Sequence, residues 1–297
     1  MINFEGQNAQ EFYVRFNSVL SCKEYLSEIK WENGFKCVKC SHSACQIRSN
    51  YDRTCNKCSH TESASANTLF HKVKFGLDKA FIICFEMATT TRSLSASYLA
   101  KRVGVTPYTA RMFMYKVRDA MKSSENFPMM NRVEVDEFVV GGKEDGKVGR
   151  SYNTKKKKAV VALELTENGK VKRMYVNQIN DFSAKELRPI FDKHISKTAS
   201  INTDLWRGYR PIAKEYNIEQ IPSNSGKNFK ILHTMIHQIK SWIRTTYSYV
   251  SSFHISGYFD EFCYRLNRSR SKKTIFHNLV SRMMQKPKLY QSKLICT

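Results

Sequence analysis

Four cysteines, two in "CVKC" (Cys37, Cys40) and two in "CNKC" (Cys55, Cys58), stand in the spacing C-x2-C-x14-C-x2-C. Two such knuckles can aim four thiolates at one tetrahedral Zn2+, a closed coordination sphere that makes the metal structural and not catalytic. The stretch between them, "SHSACQIRSNYDRT", is long enough for one hairpin, and Cys45 inside it lacks a partner two residues away. Cys22, Cys84, Cys263 and Cys296 are scattered, and Cys84 and Cys263 suit small core positions.

A second set is made of carboxylates. Asp136 lies inside the Val- and Phe-rich "RVEVDEFVVGG", and Asp204 ends the apolar "ASINTD". A carboxylate in a buried strand is costly without a partner. Two that converge can hold Mg2+ through oxygen, and two ions about 3.5–4 Å apart can activate a water or a 3′-hydroxyl while stabilising the leaving oxygen of a phosphodiester. Either aspartate alone fits an edge or cap role equally well. Glu137 alternates to the face opposite Asp136, so it is expected to be structural or to support the site from outside. A third set lies in "ILHTMIHQIKSWIR" (231–244), where His233, His237, Lys240 and Arg244 form a stripe opposite Leu232, Met235, Ile236, Ile239 and Ile243. The apolar side has a core to face; the polar side faces water, a metal or a phosphate backbone. "HTMIH" lacks the general-base Glu that a zinc protease needs after its first histidine.

Composition bears on which partner these groups serve. The 49 Lys and Arg against 26 Asp and Glu leave a net charge of +23, which points to a polyanion. A chain of 297 residues with 41% hydrophobic content can build two or three cores and is not a disordered basic tail. The densest apolar run, "KAFIICFEMATTT", is too short for a membrane span and reads as a buried helix. The opening "MINFEGQNAQEF" does not resemble a signal peptide, so an intracellular setting with reduced thiols is expected.

The elements that must position these residues follow from pattern. A helical region runs from about 76 to 123, and within it "SLSASYLAKRVGVTPYTARMFMYKVRDAM" reads as helix, turn, helix. Its second helix is capped by Thr106 and opened by Pro107, and it carries Tyr108, Thr109, Arg111, Lys116 and Arg118 as candidate DNA contacts. "SSENFPMMN" (123–131) marks a boundary. Beyond it, strands are predicted at 132–142, 158–165 and 170–179, the last two joined by an "ENGK" turn. A helix over 183–194 opens with a Ser183/Glu186 capping box; next come a strand ending at Asp204, a helix over "RGYRPIAKEY", a strand at "IEQI" and the helix over 231–244. Three antiparallel strands followed by alternating helix and strand make an α/β domain of the RNase H-like class, a mixed sheet flanked by helices. It follows a small zinc ribbon and the helix-turn-helix region. Basic runs at "NTKKKKA" and "RLNRSRSKK" add phosphate-binding capacity, and Tyr247 and Tyr249 could stack on a base.

The two knuckles, "VEVDEFVVGG", "NTDLWRGY" and "VSSFHISGYFDEFCYRLNRS", taken together and in order, resemble the DDE-superfamily insertion-sequence transposases of the ISXO-type group that begin with a zinc ribbon. The resemblance implies a metal-dependent polynucleotidyl transferase that binds the terminal inverted repeats of double-stranded DNA. Such an enzyme cuts with Mg2+ or Mn2+ and joins the freed 3′-end to a target, as a homo-oligomer, nucleoid-associated in a bacterial cytoplasm and not in a membrane. It also implies that Asp136 and Asp204 are the first two acidic ligands. The third ligand of such enzymes lies on a helix, seven residues before a DNA-contacting base, and Lys240 is seven after His233. His233 falls where relatives have Glu, Asn or His, and no carboxylate occurs between Leu232 and Phe259. An imidazole is a softer donor than a carboxylate and suits Mn2+ at least as well as Mg2+. Glu261 is the rival carboxylate, though an ion pair with Arg265 or Arg268 accounts for it. The expected organisation is residues 1–70 with the ribbon, 71–124 with the helix-turn-helix, 131–285 catalytic and 286–297 a basic tail. The alternatives are an inactive DNA-binding transposase relic or repressor, and a nuclease of the same fold.

Overall fold

The computed structural model describes residues 4–6, 8–142, 144 and 154–294; Cys296, Asn153 of the first basic run and the end of the tail lie outside them. The chain divides into two units, Met1–Met121 with Arg268–Thr297, and Lys122–Asn267.

The first unit opens with helices α1 (Ala9–Arg15) and α2 (Val19–Lys30), started by Asn8 and Ser18, whose side chains accept backbone N–H bonds. Three short antiparallel strands follow, β1 (Cys45–Ile47), β2 (Arg53–Cys55) and β3 (Thr61–Glu62), and bring the cysteine knuckles together. Then come α3 (Leu77–Thr89), α4 (Ala96–Val103) and α5 (Pro107–Met121). Gly104 ends α4 in the left-handed conformation (φ 65°), which glycine adopts without a Cβ penalty. Thr106 Oγ1 accepts from Thr109 N, the expected cap.

The expected boundaries differ from these in two places. The ribbon and the helices α3, α4 and α5 share one unit, and within it Lys30 at the end of α2 pairs with Glu62 at 2.6 Å and donates to the carbonyls of Ser63 and Ala66. The helix Ile275–Gln285, assigned from sequence to the catalytic region, instead belongs to the first unit. Its Phe276 ring packs against Phe4, Phe12, Phe16, Tyr25, Phe81 and Phe85. That aromatic cluster buries the apolar face the helix carries, and an amphipathic helix settles where such a face is covered.

The second unit is a five-stranded mixed sheet. Strands β4 (Arg132–Val140), β5 (Lys157–Leu165) and β6 (Val171–Ile179) pair antiparallel, while β7 (Ser200–Thr203) and β8 (Ile218–Gln220) add parallel on the other side of β4, giving the order β6-β5-β4-β7-β8. Between β6 and β7 lies α6 (Ala184–His194); after β8 come α7 (Lys230–Arg244) and α8 (Ile255–Asn267). Alternation sends Val133 and Val135 into one core with Leu187, Ile190 and Phe191 of α6. Phe138 and Val140 go into another core with Leu232, Ile236 and Ile239 of α7 and Phe259 of α8. A mixed sheet covered by helices on both faces is consistent with the RNase H-like class.

Two local expectations are corrected here. "RGYRPIAKEY" forms two 3-10 turns, Arg207–Tyr209 and Ile212–Lys214, because Pro211 has no N–H to continue a helix. At α6, Ser183 N donates to Asp181 Oδ1 and the Ser183 side chain caps nothing. Glu186 reaches past it to accept from Asn180 N at 2.7 Å, so the capping box does not form.

Candidate active site and metal centre

Residue alternation along β4 presents Asp136 on the face covered by α7 and Glu137 on the opposite face, beside Tyr209. What brings the two together is the length of the next strand. β7 runs parallel to β4 only as far as the Val135–Thr203 pair. Past that pair, among the described residues, no strand flanks Asp136 and Glu137 on this side, and Asp204 leaves the end of β7 beside them. One carboxylate oxygen from each of Asp136, Glu137 and Asp204 lies within 4.8 Å of the other two. Sequence alternation set Glu137 aside; only the early end of β7 reveals it.

Hydrogen bonds hold each of the aspartates. Asp136 Oδ1 accepts from Glu137 N at 2.8 Å, and Asp204 Oδ1 from Trp206 N at 3.0 Å. Gln220 on β8 donates to the carbonyls of Asp204 and Trp206, both at 3.0 Å, which fixes the turn that carries Asp204. Tyr209 is wholly buried behind the carboxylates. Burial first, then the charges of Glu137 and Asp136, push its hydroxyl far above the usual range, so it stays protonated.

On the α7 side, His233 Nε2 lies 3.1 Å from Asp136 Oδ2. The bond to Asp136 raises the His233 pKa, and partial burial opposes it. Phe229 stacks near the imidazole at 6.5 Å. A Cβ at Gly226, whose φ is +87°, would stand 2.5 Å from His233 Nδ1. Lys240 rests its ammonium 5.5 Å from the centre of the Phe138 ring, and burial lowers its pKa. Asp136, Glu137, Trp206, His233, His237 and Lys240 all line one open cavity of about 520 Å³.

The remaining predicted residues fall elsewhere. Arg244 lines a second cavity beyond the end of α7. Glu261 is fully buried and pairs with Arg265 at 3.0 Å, and the Arg265 guanidinium lies 4.9 Å from the Trp242 ring centre. That removes Glu261 from the acidic group. On α5, Arg111 is exposed beside Tyr108, and Lys116 is half-buried with its pKa lowered by burial. Arg118, grouped with them by sequence, is buried over Tyr115.

The four cysteines meet as their spacing requires. Their sulfurs fall within 4.8 Å of one another, with Cys37–Cys58 and Cys40–Cys55 each at 3.6 Å. A tetrahedron of sulfurs at about 2.3 Å from zinc has edges of roughly 3.8 Å. Both knuckles close alike: Ser41 N donates to Cys37 O and Ser59 N to Cys55 O, with positive φ at both serines. The four-cysteine cluster fits a structural zinc. The acidic group, all hard oxygen donors with one imidazole beside it, fits Mg2+ or Mn2+.

Residues 128–267, which take in every element from β4 to α8, match the ISXO2-like transposase domain family. This region is an ISXO2-like transposase domain. It stands among the DDE-type insertion-sequence transposases of the ISXO group, and Asp136, Glu137, Asp204 and His233 all fall inside the matched transposase domain. No curated protein matches the chain. Among the described residues of the chain, no helix is long and apolar enough to cross a membrane.

Proposed function

We propose that this transposase binds the terminal repeats of its own insertion sequence and performs metal-dependent strand cleavage and strand transfer. The observation that carries the reading is the meeting of the Asp136, Glu137 and Asp204 oxygens within 4.8 Å, with His233 against Asp136. Asp136 and Asp204 are the principal metal-holding carboxylates, Glu137 adds a third, and His233 stands where a further carboxylate would otherwise serve. Asp136, Glu137 and Asp204 would hold divalent cations, which would supply the Lewis acidity to activate a water or 3′-hydroxyl and to stabilise the leaving oxygen. Lys240 binds the phosphate beside the reacting bond, and Arg244, one helical turn on, binds a neighbouring phosphate.

In the first unit, α4 and α5 act as a helix-turn-helix, with Arg111 as an exposed DNA contact and Lys116 as a secondary one. The zinc ribbon holds the N-terminal region in shape for the same duplex. The enzyme works as a homo-oligomer on double-stranded DNA in the bacterial cytoplasm, associated with the nucleoid. The net charge of +23 favours the DNA partner and predicts binding that weakens steeply with salt.

The test is incubation of the full chain with labelled duplex carrying the element ends, with Mg2+, Mn2+ or a chelator. The reading expects metal-dependent cuts at the ends and joined products. Cutting without joining would make it a nuclease, and binding without either would make it a DNA-binding relic or repressor.

A further inference from the structure

Beyond the C-terminal end of α7 lies a cavity of about 650 Å³, within the second unit and separate from the acidic group. Among the described residues its walls carry four cations, Lys155 and Lys156 just before β5, Lys157 at its start and Arg244 on α7. Among the described residues no ion pair neutralises any of them. The one carboxylate among the described lining residues, Glu144, accepts locally from Thr154 Oγ1 and Lys155 N.

The loop after α7 treats its two tyrosines differently. Tyr247 packs on Tyr258, with ring centres 4.3 Å apart, and sits 6.2 Å from Trp242, so it belongs to the core. Tyr249, two residues on, is 79% exposed at the cavity rim. Tyr247 anchors the loop, and Tyr249 is left with its ring in solvent among unneutralised cations.

An aromatic ring beside a basic groove is the equipment for stacking a base while gripping its backbone. Paired bases inside a duplex offer only their edges in the grooves, so a ring of this kind needs a base that is unpaired. The cavity also lies in register with the acidic site. Lys240 lines the first cavity and Arg244, four residues on along the same face of α7, lines the second. Four helical residues rise about 6 Å, roughly two nucleotide steps of a strand.

We propose that this cavity is a binding pocket for an unpaired nucleotide of the DNA strand next to the cleavage point. Lys156 and Arg244 hold its phosphate and the Tyr249 ring stacks on its base. The proposal rests on the strand-transfer reading, since it takes its register from the acidic site.

The experiment compares binding of the full chain, at one fixed salt concentration, to a blunt duplex of the element end and to the same duplex with two unpaired 3′-terminal nucleotides. Wild type should bind the unpaired end roughly tenfold tighter, in the range expected of one stacked base. Tyr249→Ala should lose that preference while keeping its affinity for the blunt duplex, and Tyr249→Trp should keep it. A fluorescent 2-aminopurine at the terminal positions should be quenched by wild type and not by Tyr249→Ala. A chain that binds and cuts DNA but shows no preference, or a Tyr249→Ala variant that retains it, overturns the pocket alone. A chain that binds no DNA overturns the strand-transfer reading and the pocket with it.

Discussion

His233 and Asp136 are 97 positions apart in sequence, yet Nε2 of the one lies 3.1 Å from Oδ2 of the other. The strand β4 brings the carboxylate and the first turn of α7 brings the imidazole, so the register between that strand and that helix sets the site. Asp136 raises the His233 pKa, so a divalent cation bound by the imidazole would have to compete with protons for it.

Gly226 tests that register without replacing any metal-holding group. A Cβ there would meet His233 Nδ1 at 2.5 Å in a backbone conformation L residues rarely adopt. Gly226→Ala should push the ring from Asp136 and weaken Mn2+ binding, measured by calorimetry, by roughly 10–100-fold, the usual cost of disturbing what orients a ligand. An unchanged affinity would show that the position of His233 is immaterial to the metal.

His233→Ala should abolish strand cleavage while DNA affinity stays within about threefold of wild type, whereas Lys240→Ala should weaken binding itself, as loss of a phosphate contact does. Gel-shift and cleavage assays on one DNA separate the two. Glu261→Gln, which breaks a buried pair with Arg265, should show as lost stability and not as lost metal.

His194 gives a pH prediction. It is buried and stacked on Tyr175 at 4.0 Å, and burial lowers its pKa from 6.5 to about 4. The unfolded chain takes up this proton near pH 6.5 and the folded chain only near 4. Between those values the unfolded state binds more protons, so stability is lost as pH falls through this window, by up to about 3 kcal/mol. Urea midpoints at pH 7 and pH 5 should differ less in His194→Phe than in wild type. Equal differences would mean that His194 protonates freely in the folded protein.

Zinc is separately measurable. The strands β1, β2 and β3 have three, three and two residues, too few to build a core of their own. Purified protein should carry about one equivalent of zinc, and Cys37→Ser should lose it together with protection of residues 37–62 from protease. Substoichiometric zinc that Cys37→Ser does not reduce would contradict the ribbon.

Much of this was legible where the signal is local. The C-x2-C knuckles, an aspartate inside a Val-rich strand, and a histidine seven residues before a lysine are short patterns, and they pointed to Cys37, Asp136 and His233. Glu137 was not legible, because alternation is a property of one strand while the opening beside it depends on where β7 stops. The same holds for the helix Ile275–Gln285: its amphipathic face was visible, but nothing within the segment names Phe12 or Phe81 as its partners. At 207–216 the composition is that of a helix, but the backbone follows Pro211 and forms two 3-10 turns. Arg118 looked like a surface cation by spacing, and only packing shows it buried on α5.

The central claim, that Asp136 and Asp204 hold the metal for strand cleavage, is tested most directly by Asp136→Asn. The measurement is the rate of strand cleavage on labelled end DNA at saturating Mn2+, with protein–DNA affinity measured in parallel. Cleavage should fall roughly a thousandfold or more, what several kcal/mol of lost transition-state stabilisation amounts to, while DNA affinity is retained. Cleavage at the wild-type rate by Asp136→Asn would contradict the account.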